Sequence, residues 1–75
     1  MYLNSTARAP SEPLTGRELD VVRLVARGLT NSEVAAELFI ALSTVKTHLG
    51  SVQTKLNARN RVEIAAWAWE RRLVA

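Results

Sequence analysis

The chain has 75 residues, no cysteine and a formal net charge of +3, so it has room for one small domain and excludes disulfide frameworks and thiolate metal sites. Apolar residues make up 48% and charged residues 23%, a balance typical of a folded chain rather than a disordered one. No apolar run approaches the roughly 20 residues of a membrane-spanning helix, and the polar start has no secretory pattern. The composition therefore fits a globular domain in a reducing, intracellular compartment.

Residues 1–13 predict a flexible tail or linker, and residues 14–75 predict the folded domain. The first segment holds both prolines of the chain and shows no apolar periodicity, so it has nothing to bury. Its composition suits a tether to an upstream domain. It suits the ragged start of a short protein equally well, and the sequence leaves both interpretations open.

The first predicted helix spans residues 16–27. Thr15 and Glu18 have the spacing of a capping box, in which the hydroxyl and the carboxylate each accept a hydrogen bond from a free backbone N–H. At 100° per residue, one face is apolar and consists of Val21, Val22, Val25, Ala26 and Leu29. Gly28 follows as a natural C-terminal stop.

Two more helices are predicted directly afterwards. Thr30 and Glu33 repeat the capping spacing, which predicts a short helix over residues 31–38. A third helix is expected to begin at Ser43 or a near neighbour and to end at Asn57 or Ala58. Its side chains form a clean apolar stripe of Val45, Leu49, Val52 and Leu56.

A fourth helix is predicted from Asn60 to Arg72, and it is apolar on two sides. We assign the buried face to Val62, Ala65, Ala66, Trp69 and Leu73. The second apolar strip consists of Ile64, Trp67 and Ala68. An exposed apolar strip indicates a partner, which is either a second copy or an absent neighbouring domain. The fold class is therefore all-α, with four helices, short connections and a marginal core.

Catalysis and metal binding have little support in this sequence. His48 is the single histidine, and it has no obvious nucleophile or orienting carboxylate to work with. Phosphate-binding loops and metalloprotease motifs are absent, and scattered carboxylates supply no ligand cluster. We predict no enzyme activity, no cofactor and no metal site.

The third helix presents a small, polar and cationic face opposite its buried stripe. Its members are Ser43, Lys46, Thr47, Gly50 and Thr54. Such a face suits a DNA major groove about 12 Å wide, where Lys46 donates to guanine and Thr47 bonds a base or touches a thymine methyl. Gly50 costs ~1 kcal/mol in mid-helix, so it either permits a close approach to DNA or is merely tolerated.

Charge distribution supports a surface that faces a polyanion. The stretch from Leu38 to Val62 holds four cations and no anion, although a solvated basic helix would show the same pattern. Hydroxyls, amides and free N–H groups at the start of the second helix form a good phosphate site, at Thr30, Asn31 and Ser32. Further candidates flank the groove-facing helix, at Thr44, His48, Lys55, Arg59 and Arg61.

Several motifs in one order resemble the LuxR/NarL/GerE-type helix-turn-helix domain of bacterial transcription regulators. They are LTGRE at 14–18, GLTNSEVA at 28–35, TVKTHL at 44–49, Lys55-Leu56 and Arg59-Asn60-Arg61. The resemblance covers about residues 14–73 and implies that the third helix is the recognition helix in the major groove. It implies base readers at Ser43, Lys46, Thr47 and Gly50. It also implies contacts to the DNA backbone at Thr30, Asn31, Thr44, Val45 (through its main chain), Lys55 and Arg61.

The resemblance also implies partners. The fourth helix often dimerises in this family, which assigns the dimer interface to Ile64, Trp67, Ala68 and Arg71. The implied function is sequence-specific binding of double-stranded DNA as the effector domain of a response regulator in a bacterial two-component system. The resemblance further implies an upstream receiver or sensor domain, and RNA polymerase as a further partner. It also implies a location at the nucleoid in the cytoplasm, away from membranes.

Two positions depart from the family pattern. Ala41 stands where relatives usually have serine, so capping of the recognition helix either passes to Ser43 or is weaker. Gly50 stands where many relatives have a polar or cationic side chain, which reduces the number of expected base contacts.

Two other function classes remain open at this point. A promoter-reading region of a sigma factor shares the helix-turn-helix but acts as a monomer within polymerase. A protein–protein adaptor would keep the fold and lose DNA binding, although the anion-free stretch favours DNA.

Overall fold

A computed structural model describes residues 9–74, which form four helices and no strand. The helices are α1 (Gly16–Ala26), α2 (Asn31–Leu38), α3 (Leu42–Leu56) and α4 (Arg61–Glu70). The predicted all-α fold is confirmed, with every helix boundary within two residues of its predicted place. Residues 1–8 of the predicted tail and Ala75 lie outside the described residues, and the domain boundary at residue 14 stays a prediction.

Side-chain caps start three of the four helices. Thr15 and Glu18 form the predicted capping box, with N–H to oxygen distances of 2.9 and 3.1 Å. Thr30 and Glu33 form the second box, at 2.8 and 3.2 Å. At α4 the carboxamide oxygen of Asn60 accepts from a backbone N–H at 3.0 Å. These caps explain why three helices begin where the sequence predicts.

Helix α3 begins without such a cap. Its N-cap residue is Ala41, which has no side-chain oxygen, and Ser43 lies inside the first turn. The expectation that Ser43 caps the helix is therefore wrong, and the alternative of a weaker cap is confirmed. At the start of the connection between the two helices, Phe39 ends α2 in the left-handed conformation at φ 57° and is 94% exposed.

The core consists of two clusters that share α1 and α3. One joins α1, α3 and α4 through Val22, Val52, Leu56, Ile64, Trp67 and Ala68. The other joins α1, α2 and α3 through Val21, Val25, Val34, Ala35 and Val45. Leu49 packs against both, so the predicted apolar stripe of α3 is confirmed as its inward face. That arrangement leaves the opposite face of α3 towards solvent.

The predicted orientation of α4 is wrong. Ile64, Trp67 and Ala68 are at most 6% exposed and fill the core, whereas Val62 is 74% and Trp69 is 49% exposed. Both sides of α4 are apolar, so helical periodicity could not choose between them, and packing against α1 and α3 decided. In this fold the three buried side chains are therefore not available on the surface to form a dimer interface.

Two side chains near the end of α4 have specific partners. The guanidinium of Arg71, assigned to the same interface, lies 5.3 Å from the centre of the Trp67 ring, within the range of a cation–π contact. The indole N–H of Trp69 donates to the carbonyl of Ala26 at 3.1 Å, which joins α4 to the end of α1.

Candidate nucleic-acid interface

An open groove of about 410 Å³ lies between the start of α2, the start of α3 and the start of α4. Its lining residues are Gly28, Leu29, Thr30, Asn31, Ser32, Leu42, Lys46 and Arg61. Five of them were singled out from the sequence as DNA contacts, although they come from three separate segments. No carboxylate is among the lining residues, and both charged side chains are cations. The groove is therefore suited to a phosphate group.

The N-terminus of α2 supplies the polar wall of this groove. The Thr30 hydroxyl and N–H are occupied by the capping box, whereas the N–H groups of Asn31 and Ser32 belong to the first turn, where helices have no internal acceptors. Arg61 donates from its two terminal nitrogens to the side-chain oxygen of Asn31 and the carbonyl of Leu29. These bonds hold a cation beside the helix N-terminus, and both features favour an anion.

The outward face of α3 has the composition that the sequence predicts. Ser43, Lys46, Thr47 and Gly50 are all exposed. The Thr47 hydroxyl donates to the carbonyl of Ser43 at 3.0 Å, which occupies its only proton and fixes its rotamer. Thr47 therefore offers a ligand its acceptor lone pairs and its methyl group, rather than a donor.

Nothing inside the chain requires a glycine at position 50. A Cβ placed on Gly50 would have no atom within 4 Å, and its backbone is that of an ordinary helix. The hydroxyl of Thr54, one turn later, donates to the Gly50 carbonyl at 3.1 Å. Internal packing thus gives no reason for this residue, and both sequence interpretations of it remain available.

Two of the four cations in the anion-free stretch are paired in space with carboxylates from outside it. The ammonium of Lys55 lies 2.8 Å from a Glu18 oxygen, and the guanidinium of Arg59 lies 3.0 Å from a Glu63 oxygen. Lys55 is only 15% exposed, and its ammonium is already bonded within the domain, so its contact with DNA stays a prediction. Arg59 is 86% exposed, so its guanidinium can exchange the Glu63 carboxylate for a phosphate. Within the described residues, only Lys46 and Arg61 of these four lack a carboxylate partner.

Three other predicted backbone contacts lie along α3. Thr44 and His48 are half-buried on its flank. Val45 is fully buried, and its N–H donates to the carbonyl of Ala41 at 3.1 Å. A contact from this N–H to DNA is thus contradicted, because the first intrahelical bond uses it. The first amides of the uncapped turn, at Leu42 and Ser43, are better placed for such a contact.

A buried polar cluster between α1 and α3 was missed by the sequence analysis. Glu18 is 4% exposed and accepts hydrogen bonds from the Ser51 hydroxyl at 2.7 Å and the Lys55 ammonium at 2.8 Å. Burial alone would raise the pKa of Glu18. The hydrogen bonds from Lys55, Ser51 and the Thr15 N–H outweigh it and lower the pKa to about 2. This carboxylate is therefore ionised at neutral pH and joins α1 to α3.

No helix within residues 9–74 is long and apolar enough to cross a membrane. In the same range, no cluster of three or more histidine, aspartate or glutamate side chains is arranged to hold a metal ion.

The geometry agrees with the family relationship of the sequence. Residues 12–68 match the family described as bacterial regulatory proteins, luxR family, and the chain belongs to that family. The transcriptional regulatory protein LiaR of Bacillus subtilis is 45% identical over 65 residues, which cover 87% of this chain and 31% of LiaR. A nitrate/nitrite response regulator protein homolog of Haemophilus influenzae is 47% identical over 53 residues, 71% of this chain and 26% of that protein.

A solved structure has the same fold. The response regulator ChrA, of a heme-sensing two-component system, superimposes with a TM-score of 0.76 at 38% sequence identity. The match covers 87% of this chain and 32% of ChrA. The chain thus spans about a third of the length of these relatives. Its class is that of the helix-turn-helix domains found in response regulators that control transcription.

Proposed function

We propose that this domain binds double-stranded DNA in a sequence-specific manner, with α3 in the major groove. One observation carries the proposal: Lys46 belongs both to the exposed polar face of α3 and to the carboxylate-free groove at the N-terminus of α2. A base-reading surface and a phosphate site are thereby contiguous. That is the geometry a helix-turn-helix needs, since phosphate contacts set the register and base contacts specify the sequence.

Each exposed group has a definite part in this proposal. Lys46 donates to the acceptor edge of a guanine, and Thr47 accepts from a base amino group or contacts a thymine methyl. A phosphate occupies the groove between Asn31, Ser32 and Arg61, where helix dipole and guanidinium act together. Ser43 and Gly50 line the remaining surface towards the bases.

We further propose that the domain dimerises on DNA through the outer face of α4. The other side of α4 is buried, and the exposed apolar side chains of this helix are Val62 and Trp69. Positions 62 and 69 lie two turns apart on one face, with the partly buried Ala65 and Ala66 between them. An apolar strip that the domain itself leaves open favours a second copy as its partner.

The properties of a full-length regulator are also proposals for this chain. The relatives named above are response regulators or transcriptional regulatory proteins about three times as long. We propose that the domain serves as the effector of such a regulator in the bacterial cytoplasm. A receiver or sensor domain would then provide the signal, and RNA polymerase would be a further partner. We expect no catalytic turnover.

The decisive experiment is selection of duplexes from a random pool, followed by affinity measurements at several salt concentrations. We expect an enriched repeat and a log–log salt dependence whose slope counts the phosphate contacts at about −0.9 per contact. Half-site spacing would report the symmetry of the dimer. Equal affinity for the selected and a scrambled duplex would refute specific reading. Absence of binding even at low salt would favour the adaptor.

Sedimentation with the selected duplex tests the dimer and separates it from the sigma-like alternative. We expect two chains per duplex for the native domain and one for Val62→Gln, because glutamine removes the apolar contact without adding a charge near DNA. Glu37→Gln is a control on the exposed side of α2 and should leave the stoichiometry at two. A native complex of one chain per duplex would favour a monomeric, sigma-like reader.

A further inference from the structure

The segment in front of α1 is attached to the C-terminal end of α3. The backbone N–H of Ser11 donates to the carbonyl of Lys55 at 2.7 Å. In return, the Lys55 ammonium donates to the carbonyl of Pro13 at 3.1 Å. Two hydrogen bonds in opposite directions thus join residues 11–13 to a single residue of the recognition helix, 42 to 44 positions away along the chain.

The same ammonium also holds α1. Lys55 donates to Glu18 at 2.8 Å, and Ser51, one turn earlier on α3, donates to the other oxygen of that carboxylate at 2.7 Å. Both charged side chains are largely removed from solvent, at 15% and 6% exposure. An ion pair of this kind keeps its geometry, because water does not compete for it and every change of position loses a charged hydrogen bond.

The hydrogen bond from Ser11 satisfies a carbonyl at the C-terminal end of α3. The last carbonyls of a helix have no intrahelical partner. In α3 the N–H of Asn57 donates to the carbonyls of Gln53 and Thr54. The N–H of Ala58 also donates to the carbonyl of Gln53. The next carbonyl, of Lys55, accepts from Ser11. The incoming chain therefore completes the end of the recognition helix.

We propose that Lys55 is a positioning residue for the DNA-reading helix, and that residues 11–13 couple the chain before α1 to the placement of α3. This inference rests on the proposed DNA-binding function. The physical reason is that base reading needs side chains held within about 0.5 Å of their productive position. The N-terminal half of α3 is held by the packing of Val45 but has no side-chain cap and no polar bond of this kind, so the bonds of the C-terminal half add to its placement.

The test compares two substitutions at one exposed position of the full 75-residue chain. Ser11→Pro removes the N–H donor, whereas Ser11→Ala keeps it and removes only the hydroxyl. We expect amide hydrogen exchange in the last turn of α3 to become about fivefold faster in Ser11→Pro, the factor for one lost backbone hydrogen bond. Amides of α2 should exchange at native rates in both variants, and Ser11→Ala should match the native chain throughout.

DNA binding then separates positioning from a merely structural bond. For Ser11→Pro we expect the ratio of affinities for selected and scrambled duplex to fall severalfold at a temperature where the chain is fully folded. Lys55→Arg, which keeps charge and donors, should retain most of the native ratio, and Lys55→Met should lose more of it than Ser11→Pro. Faster exchange with an unchanged ratio would overturn the positioning role.

The outcomes for the two proposals are distinguishable. If the native chain binds selected and scrambled duplexes equally, the proposed function fails, and the positioning role fails with it. If the native chain binds specifically but Ser11→Pro leaves both exchange and the affinity ratio unchanged, only the coupling through residues 11–13 is refuted.

Discussion

The two halves of α3 are built on opposite principles. The first half, Leu42–Gly50, has no side-chain cap and presents an exposed polar face. The second half, Ser51–Leu56, is bonded to a buried carboxylate and to the segment before α1. Both halves pack into the core, through Val45 in the first and Val52 in the second, so the difference lies in their polar groups. Those of the second half are bonded within the domain, whereas those of the first half stay available for a ligand.

The largest expected effect comes from breaking the Glu18–Lys55 ion pair, which holds the second half of α3 to α1. Glu18→Gln leaves the Lys55 ammonium largely buried without its counter-charge, which should lower the free energy of unfolding by about 3–5 kcal/mol. For a domain of this size, that shift lowers the midpoint of thermal unfolding by at least 10 °C, in order of magnitude. Circular dichroism during heating measures it, with the exposed Glu37→Gln as the matched control. Equal midpoints for the two variants would contradict the assigned role of Glu18.

Acid should break the same ion pair. The pKa of Glu18 in the folded chain is about 2, below the ordinary 4.5, so the ion pair contributes its full stability above pH 4.5. That contribution, about 3 kcal/mol from the shift in pKa, should be lost as the pH falls from 4.5 to 2. Urea unfolding of the native chain and Glu18→Gln across this range gives the difference. A difference that does not shrink towards low pH would contradict the lowered pKa.

A smaller effect, on binding alone, is expected in the exposed half. Lys46→Ala should weaken binding to the selected duplex by about 1–3 kcal/mol and relax specificity at one base pair. Its unfolding midpoint should stay near the native value, because the side chain is exposed and has no described carboxylate partner. Fluorescence anisotropy titration measures the affinity, with Arg17→Ala as a cation control on α1. A weaker complex with unchanged specificity would assign Lys46 to a phosphate instead.

The smallest effect should come from giving the free end a cap. Ala41→Ser places a hydroxyl at the N-cap of α3, where it can accept from an amide of the first turn. We expect the free energy of unfolding to rise by about 1 kcal/mol, measured by urea unfolding. Ala36→Ser, at an exposed position within α2, is the control and should be slightly destabilising. No gain at position 41 would mean that the first turn of α3 already has other partners.

The buried ion pair of Glu18 and Lys55, which the sequence analysis missed, had a signal in the sequence. Glu18 precedes Val21, Val22 and Val25 by three, four and seven residues, so helical spacing places it on the buried face of α1. A carboxylate on such a face requires a cation or several donors. The sequence did not say which cation, because Lys55 lies 37 residues away on another helix and the packing of the two helices decides the partner.

The error on α4 had the opposite origin, since the signal there was ambiguous. Two apolar strips of similar width run along that helix, and each contains one tryptophan. Local periodicity measures amphipathic contrast, which is small when both sides are apolar. Trp67 rather than Trp69 enters the core because the space left between α1 and α3 accepts that side of the helix.

Local chemistry in the sequence determined the number of helices, their caps and the inward stripe of α3. Those features depend on residues within about two turns of one another, and the hydroxyl–carboxylate pairs and apolar spacings are directly readable. Tertiary structure alone decided which face of α4 is buried, which cations remain available, and how residues 11–13 are bonded to Lys55. Each of these depends on groups that lie far apart in the chain, and their meeting is set by how the helices pack.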